Sequence, residues 1–234
     1  DIVILKEDAF SSFGNFIETT KILANLNNFY QRIDPLQHHG HWILTAFDLP
    51  DYDQRTIPLS IFRNSVAIGR PLNISIHLNK QRSLDGFLRV LNNIMIEGKV
   101  CVDLLFSNHS NLYYLKNLIS AITILVALRF QVNNQIVTKS EAICRAGEIL
   151  DSRALRVLNW ATQIRTGWPS LPKARQCYRL LWFLSWIFSN RNLLEYFAKH
   201  YLPIINVREI ALGGISKGDF EYYFKFQGKP SVCN

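Results

Sequence analysis

The sequence predicts an α+β protein with a mixed, β-containing N-terminal half and a mainly helical C-terminal half that ends in a β-hairpin. Apolar and polar residues alternate strictly over Asn73–Asn79, which predicts a half-buried strand. From about Asn111 onward, apolar residues instead recur at helical spacing between cap signals. Alternation returns over residues 220–226 and predicts a terminal hairpin over about 205–227.

The N-terminal half is predicted to begin with an amphipathic helix over residues 9–33. The helix should end at Asp34-Pro35, because the residue before proline disfavours helical geometry. Residues 42–48 are predicted to be extended. The run Ile57–Ile68 is strand-like, and its proline suggests the start or the edge of a strand.

A second helix is predicted from an N-cap at Ser83 to about Met95, because its apolar residues form one stripe. The apolar run Lys99–Phe106 that follows has the length of a strand. The middle of the chain, which includes the Asn73–Asn79 strand, is therefore predicted to be β-β-α-β.

Four helices are predicted in the C-terminal half, and three of them have recognisable start signals. The first helix covers roughly residues 112–130. Thr138 and Glu141 form a capping-box pattern that opens the second, over 139–148. Asp151 is the expected N-cap of the third. Pro172 occupies the first-turn position of the fourth, where its missing N–H costs no hydrogen bond.

Two regions follow from these elements, and they form either two domains or one. Residues 1–110 are a mixed α/β region with an acidic N-terminal segment, and residues 111–234 are a helical region with a terminal hairpin. Residues 1–53 carry eight acids and three bases, whereas the other 181 residues carry ten acids and 23 bases. The sequence thus has an acidic front and a basic body, with a formal net charge of +8.

The basic residues concentrate in two tracts that contain no Asp or Glu, residues 54–84 and 152–194. Arginine suits phosphate because its planar guanidinium group presents paired donors and stays charged. Two such tracts predict a basic face that binds an anionic partner, either nucleic acid or an anionic membrane surface. The predicted anion-binding residues are Arg55, Arg63, Arg70, Lys80, Arg82, Arg153, Arg156, Lys173, Arg175 and Arg179.

The second tract also holds four of the five tryptophans of the chain. Residues 180–188, LLWFLSWIF, are apolar almost all round, which predicts a buried helix. Trp182 and Trp186 are therefore expected to be core residues. The arginines of the tract would then be its functional part.

The predicted function is that of a non-enzymatic structural or assembly protein that binds its anionic partner through this basic face and self-associates. A viral matrix or nucleocapsid component is the analogy, and RNA is the expected nucleic acid. No cofactor, catalytic residue or bound metal is assigned. The four cysteines form no CxxC pair, which favours an intracellular, reducing compartment, with the protein in the cytoplasm or nucleus or peripheral to a membrane. No uninterrupted apolar run of about 18 residues predicts a transmembrane span.

The alternative is a metal-dependent nuclease or nucleotidyl-transfer enzyme that uses an acidic cluster near residues 48–53. Imidazoles and carboxylates lie close together in this part of the sequence and suit divalent metals. Whether they form a site is left open by the sequence. The residues are His38, His39, His41, Asp48, Asp51 and Asp53.

Two fragments resemble the PD-(D/E)xK nuclease family, in which two acids bind metal and a lysine polarises the attacking water. One fragment is Pro50-Asp51, and the other is Asp85 with Glu97-x-Lys99. The resemblance implies an active or degenerate nuclease-like fold. The strand after Asp51 departs from the pattern, because Leu59-Ser60-Ile61 stands where the acid and lysine belong.

Overall fold

A computed structural model describes residues 2–5, 9–36, 42–45, 49, 52, 59–63, 66, 80–133, 135–168, 171, 173–187 and 190–228 of the chain. The described part is mainly helical. Its helices are α1 (Phe13–Ile33), α2 (Leu59–Arg63), α3 (Lys80–Phe106), α4 (Leu112–Val132), α5 (Lys139–Cys144), α6 (Ser152–Thr166), α7 (Ala174–Ile187), α8 (Arg191–His200) and α9 (Lys217–Gln227).

Strands occupy only two short segments of the described chain, β1 (Ile2–Leu5) and β2 (Trp42–Thr45), which pair in parallel. The predicted α+β class, with a β-containing half and a C-terminal hairpin, is therefore wrong. Part of the extended segment predicted at 42–48 is confirmed by β2. Asn73–Asn79, where a strand was predicted, lies outside the described residues.

Residues 99–106 form the last two turns of α3 rather than a strand. Cys101, Val102 and Leu105 are buried, whereas Val100 and Asp103 are exposed. This three-to-four-residue spacing continues the apolar stripe of the preceding turns, so one helix buries the whole run more effectively than a helix followed by a strand. The strand predicted over Ile57–Ile68 is likewise replaced by α2 in its described part.

Residues 217–227 form α9 and not a hairpin strand. The aromatic run fits a strand and a helix equally well, because its aromatic residues recur both at alternate positions and at helical spacing. In the structure, Phe220, Tyr223, Phe224 and Gln227 are buried on one face of the helix. The Asp219 carboxylate accepts hydrogen bonds from the Ser216 backbone N–H (2.9 Å) and from its hydroxyl (2.7 Å), which fixes the first turn of the helix.

Three of the predicted helix start and stop signals are confirmed. The amphipathic N-terminal helix exists and ends at Asp34, the residue before proline. The Thr138 hydroxyl accepts from the Glu141 N–H while the Glu141 carboxylate accepts from the Thr138 N–H, so both halves of the capping box form. The Asp151 carboxylate accepts from the Ala154 N–H at 2.8 Å and caps α6.

The N-cap predicted at Ser83 is wrong, because α3 begins at Lys80 and Ser83 lies inside it. Pro172 lies outside the described residues.

The main core is built around α4, which packs against α3, α5, α6, α8 and α9. Among the described helices, α4 is long and apolar enough to cross a membrane by length and composition, and 61% of its apolar window is buried inside the fold. The core helix of a soluble protein has the same properties. Side chains from α3 join this core, so apolar packing crosses residue 110, and the division of the chain there stays a prediction.

Asn111 joins α4 to α8 at one end of this core. Its buried side chain accepts hydrogen bonds from the Tyr113 and Tyr114 N–H groups and donates to the Ala198 and Lys199 carbonyls. One amide therefore satisfies the first turn of one helix and the last turn of another. A second, small apolar cluster lies elsewhere, around Leu44, Leu49 and Tyr52.

Candidate anion-binding face

The structure describes the side chains of five of the ten predicted anion-binding residues. Arg55 and Arg70 lie outside the described residues. Arg63 lies on α2, and Lys80 and Arg82 lie on α3, but only their backbones are described. The union of the two basic tracts on one face therefore stays a prediction. The five described side chains are those of Arg153, Arg156, Lys173, Arg175 and Arg179.

Arg153 and Arg156, on α6, hold the start of α9 in place. Arg153 Nε donates to Asp219 Oδ1 at 2.7 Å, and Arg156 Nη2 lies 3.4 Å from the same oxygen. Asp219 is only 6% exposed, and the pKa of its carboxyl is lowered by hydrogen bonds from Ser216 and from Arg153. Arg153 also lies over the ring of Tyr222, at 4.6 Å. These two arginines are thus paired internally, which reduces the charge that they offer to a ligand.

Lys173, just before α7, is also paired. Its ammonium group lies 3.0 Å from Glu209 Oε1 and 3.1 Å from the Ile204 carbonyl oxygen. The contact fixes the segment after α8 to the start of α7. Its positive charge is partly neutralised by this carboxylate.

Arg175 and Arg179 differ from the other three. Both are exposed on α7, and neither makes a hydrogen bond or ion pair with another described residue. No Asp or Glu occurs in α7 itself. They lie one helical turn apart, so their guanidinium groups project from the same side of the helix.

The expectation that Trp182 and Trp186 belong to the core is wrong. Trp182 is 52% exposed and Trp186 is 56% exposed. Helix α7 instead buries the side that carries its smaller residues, most of which are spaced three and four apart. Its largest side chains point outward. The buried residues are Ala174, Cys177, Leu181, Leu184 and Ser185.

The exposed side of α7 has a basic first half and an apolar second half. Arg175, Arg179, Trp182 and Trp186 follow one another at spacings of four, three and four residues, which places them in one stripe along the helix. Phe183 and Ile187, both exposed, lie beside this stripe. We call these six residues the α7 face. The spacing could have been found in the sequence, had the smaller residues been assigned to the core.

Helix α1 lies against α7 and α8 and enlarges the apolar surface. None of its described side chains is buried. Arg32 places its guanidinium carbon 4.4 Å from the centre of the Trp186 ring, a cation–π contact between the two helices. The exposed apolar residues of α1 are Phe13, Phe16, Ile17, Ile22, Phe29 and Ile33.

An open cleft of about 480 Å³ lies where the end of α1 meets the middle of α7. Its lining is apolar and aromatic, apart from one cationic side chain, Arg179. The lining residues are Ile33, Pro35, Tyr178, Arg179, Trp182 and Phe183.

The residues of the alternative, enzymatic interpretation do not converge where they are described. Asp85, Glu97 and Lys99 all lie on α3. Residues two apart point to opposite sides of a helix, so Glu97 and Lys99 cannot share a metal site as they would on a strand. Within the described part of the chain, no three His, Cys, Asp or Glu side chains form a group able to hold a metal ion.

All six residues proposed for the metal site lie outside the described residues, so that interpretation stays a prediction. The residues concerned are His38, His39, His41, Asp48, Asp51 and Asp53.

Comparison with known proteins adds no relative: no family model, no curated protein and no solved structure matches this chain.

Proposed function

We propose that this protein is a non-enzymatic assembly protein that binds the surface of an anionic membrane peripherally, through the α7 face and the neighbouring side of α1. The observation that carries the proposal is the order of side chains along α7. Two arginines that have no partner among the described residues are followed at helical spacing by two exposed tryptophans, with Phe183 and Ile187 beside them.

Each half of this face matches one layer of a membrane surface. Arginines near an anionic headgroup layer contribute about 1 kcal/mol each. Tryptophan is favoured at the headgroup boundary, where its ring is buried and its N–H can still find a partner. Burying a large apolar side chain is worth about 1.5–3 kcal/mol, so side chains that are already half buried gain roughly half of that. The apolar half therefore contributes at least as much as the basic half.

The large apolar contribution relative to the basic one favours a membrane over nucleic acid as the partner. Nucleic-acid affinity comes mainly from cations at phosphates and from aromatic rings that stack on bases. Three of the five described side chains that were predicted to bind an anion are instead paired with Asp219 or Glu209. Ile187 and Ile33 are exposed aliphatic side chains that could gain little from RNA but gain from leaving water at the acyl boundary.

Vesicle co-flotation tests the proposal. The chain should bind vesicles that contain phosphatidylserine more tightly than vesicles of phosphatidylcholine alone, and raising the salt from 50 to 300 mM should weaken binding because charge screening increases. Replacing both Arg175 and Arg179 by glutamine should weaken binding roughly 30-fold, which corresponds to about 2 kcal/mol.

The apolar half needs its own variant and a matched control. Replacing Trp182 and Trp186 by serine should weaken vesicle binding roughly 30-fold or more, since about 1 kcal/mol or more is lost per ring. Ile96→Ser removes a comparably exposed apolar side chain from α3 and should leave binding unchanged. An equal loss of vesicle binding in the tryptophan variant and in Ile96→Ser would refute the proposal. So would tight, salt-dependent binding to single-stranded RNA with no binding to vesicles.

A further inference from the structure

We infer that the cleft between α1 and α7 binds a single acyl chain of an anionic amphiphile, with Arg179 holding its carboxylate or phosphate headgroup. The inference deepens the proposed function and rests on it for the source of the ligand, the membrane. It assigns to Arg179 a role that Arg175 does not share.

The lining of the cleft supports an apolar chain as the occupant. Ile33 and Pro35 come from α1 and its end, and Trp182 and Phe183 come from α7. The volume of about 480 Å³ falls within the roughly 300–1,000 Å³ of small-molecule sites. The cleft opens on the α7 face, so a chain could enter it from a membrane to which that face is docked.

The charges around the cleft select the headgroup. Arg179 is its one charged lining residue, and it makes no ion pair with the described chain. Asp34 is the acid that follows α1, and its carboxylate is already paired with Lys116, with Nζ and Oδ2 2.5 Å apart. The Tyr178 hydroxyl oxygen accepts a hydrogen bond from Trp168 Nε1 at 2.7 Å, so its acceptor is already engaged and its O–H can donate only to an acceptor such as an anion. An anion is therefore the headgroup for which the cleft has an unsatisfied partner.

Monomeric ligands in solution separate this site from general membrane affinity. We would titrate the full chain with sodium decanoate below its micelle concentration and follow tryptophan fluorescence and binding heat. Decanoate should bind at one site per chain. 1-Decanol lacks the charge and should bind about tenfold more weakly. Hexanoate is four CH₂ groups shorter and should bind roughly 200-fold more weakly, because each buried CH₂ contributes about 0.8 kcal/mol.

Two matched variants assign the headgroup contact. Arg179→Gln should weaken decanoate binding about tenfold or more, the loss expected for one charge-assisted hydrogen bond. Arg175→Gln removes the same charge one turn earlier, outside the cleft, and should leave decanoate binding unchanged. In the vesicle assay, by contrast, the two single variants should weaken binding to similar extents, since both arginines face the headgroup layer.

The two proposals fail differently. Equal weakening of decanoate binding by Arg175→Gln and Arg179→Gln, or equal affinity for decanoate and decanol, would overturn the headgroup assignment. Vesicle binding without any decanoate binding would overturn the cleft site and leave the proposed function standing. Decanoate binding with the expected Arg179 dependence, but without vesicle binding, would support the site and refute the membrane-docking function.

Discussion

Gly98 lies where α3 touches α9, and the substitution Gly98→Ala tests whether these two helices pack as described. A Cβ atom at residue 98 would lie 2.3 Å from Cζ and 2.4 Å from Cε1 of Phe224. These distances are far below van der Waals contact. The Phe224 ring is 1% exposed and lies edge-on to Tyr223, with ring centres 5.7 Å apart, so it cannot turn away without disturbing the core.

Two opposing effects set the size of the change. Overpacking a core typically costs about 1–3 kcal/mol, and this overlap belongs at the upper end of that range. Alanine gains about 1 kcal/mol over glycine inside a helix. The free energy of unfolding should therefore fall by about 2 kcal/mol, and Tm should fall by roughly 4–8 °C for a chain of this size.

Urea unfolding followed by far-UV circular dichroism measures this loss. Gly147→Ala is the matched control, because nothing lies within 4 Å of its added Cβ, and its stability should stay within about 0.5 kcal/mol of the wild type. Phe224→Leu should partly rescue Gly98→Ala, with a coupling free energy of about 1 kcal/mol. A Gly98→Ala protein as stable as the wild type, or a purely additive double variant, would refute this helix contact.

Three further predictions concern stability and pH. Asn111→Ala should lower the free energy of unfolding by about 3 kcal/mol in urea titration, because it removes a cap and leaves two buried helix-end groups unsatisfied; a loss under 1 kcal/mol would contradict that role. Asp219→Asn should cost about 2 kcal/mol at pH 7. Because the folded-state pKa of Asp219 is lowered, the difference from wild type should shrink as the pH falls below about 4, and a pH-independent difference would argue against an ionic contribution. Burial, and to a lesser extent the charge of Arg165, lowers the pKa of Lys139 to about 7 in the folded protein. Between about pH 7 and 10.5 the unfolded chain therefore binds more protons than the folded one, and the free energy of unfolding should rise with pH. Lys139→Met should flatten that rise, and an unchanged slope in thermal melts would assign it to another group.

Helix ends were predicted well from the sequence because their chemistry is local. The capping box at Thr138 and Glu141, the cap at Asp151 and the stop before Pro35 each need only residues within three or four positions. The helical C-terminal half was recognised for the same reason up to about residue 204, where the predicted hairpin began.

The wrong predictions concern short apolar runs that fit two periods. Residues 99–106 and 220–226 are compatible with a strand and with a helix when read alone. Gly98, which directly precedes the first run, allows α3 to approach the ring of Phe224 in the second run closely. Packing between distant segments therefore favours the helical conformation of both runs.

The sequence by itself determined where positive charge concentrates, which segments contain no acid and where most helices begin. Tertiary structure decided which of those charges are available. Arg153 and Arg156 are paired with Asp219, more than 60 residues away, while Arg175 and Arg179 stay unpaired among the described residues. It also turned Trp182 and Trp186 outward, because α7 buries against the core the opposite side, which carries Ala174, Cys177, Leu181, Leu184 and Ser185. Ion pairing and burial depend on which distant residues meet, and a single sequence does not encode that in its local pattern.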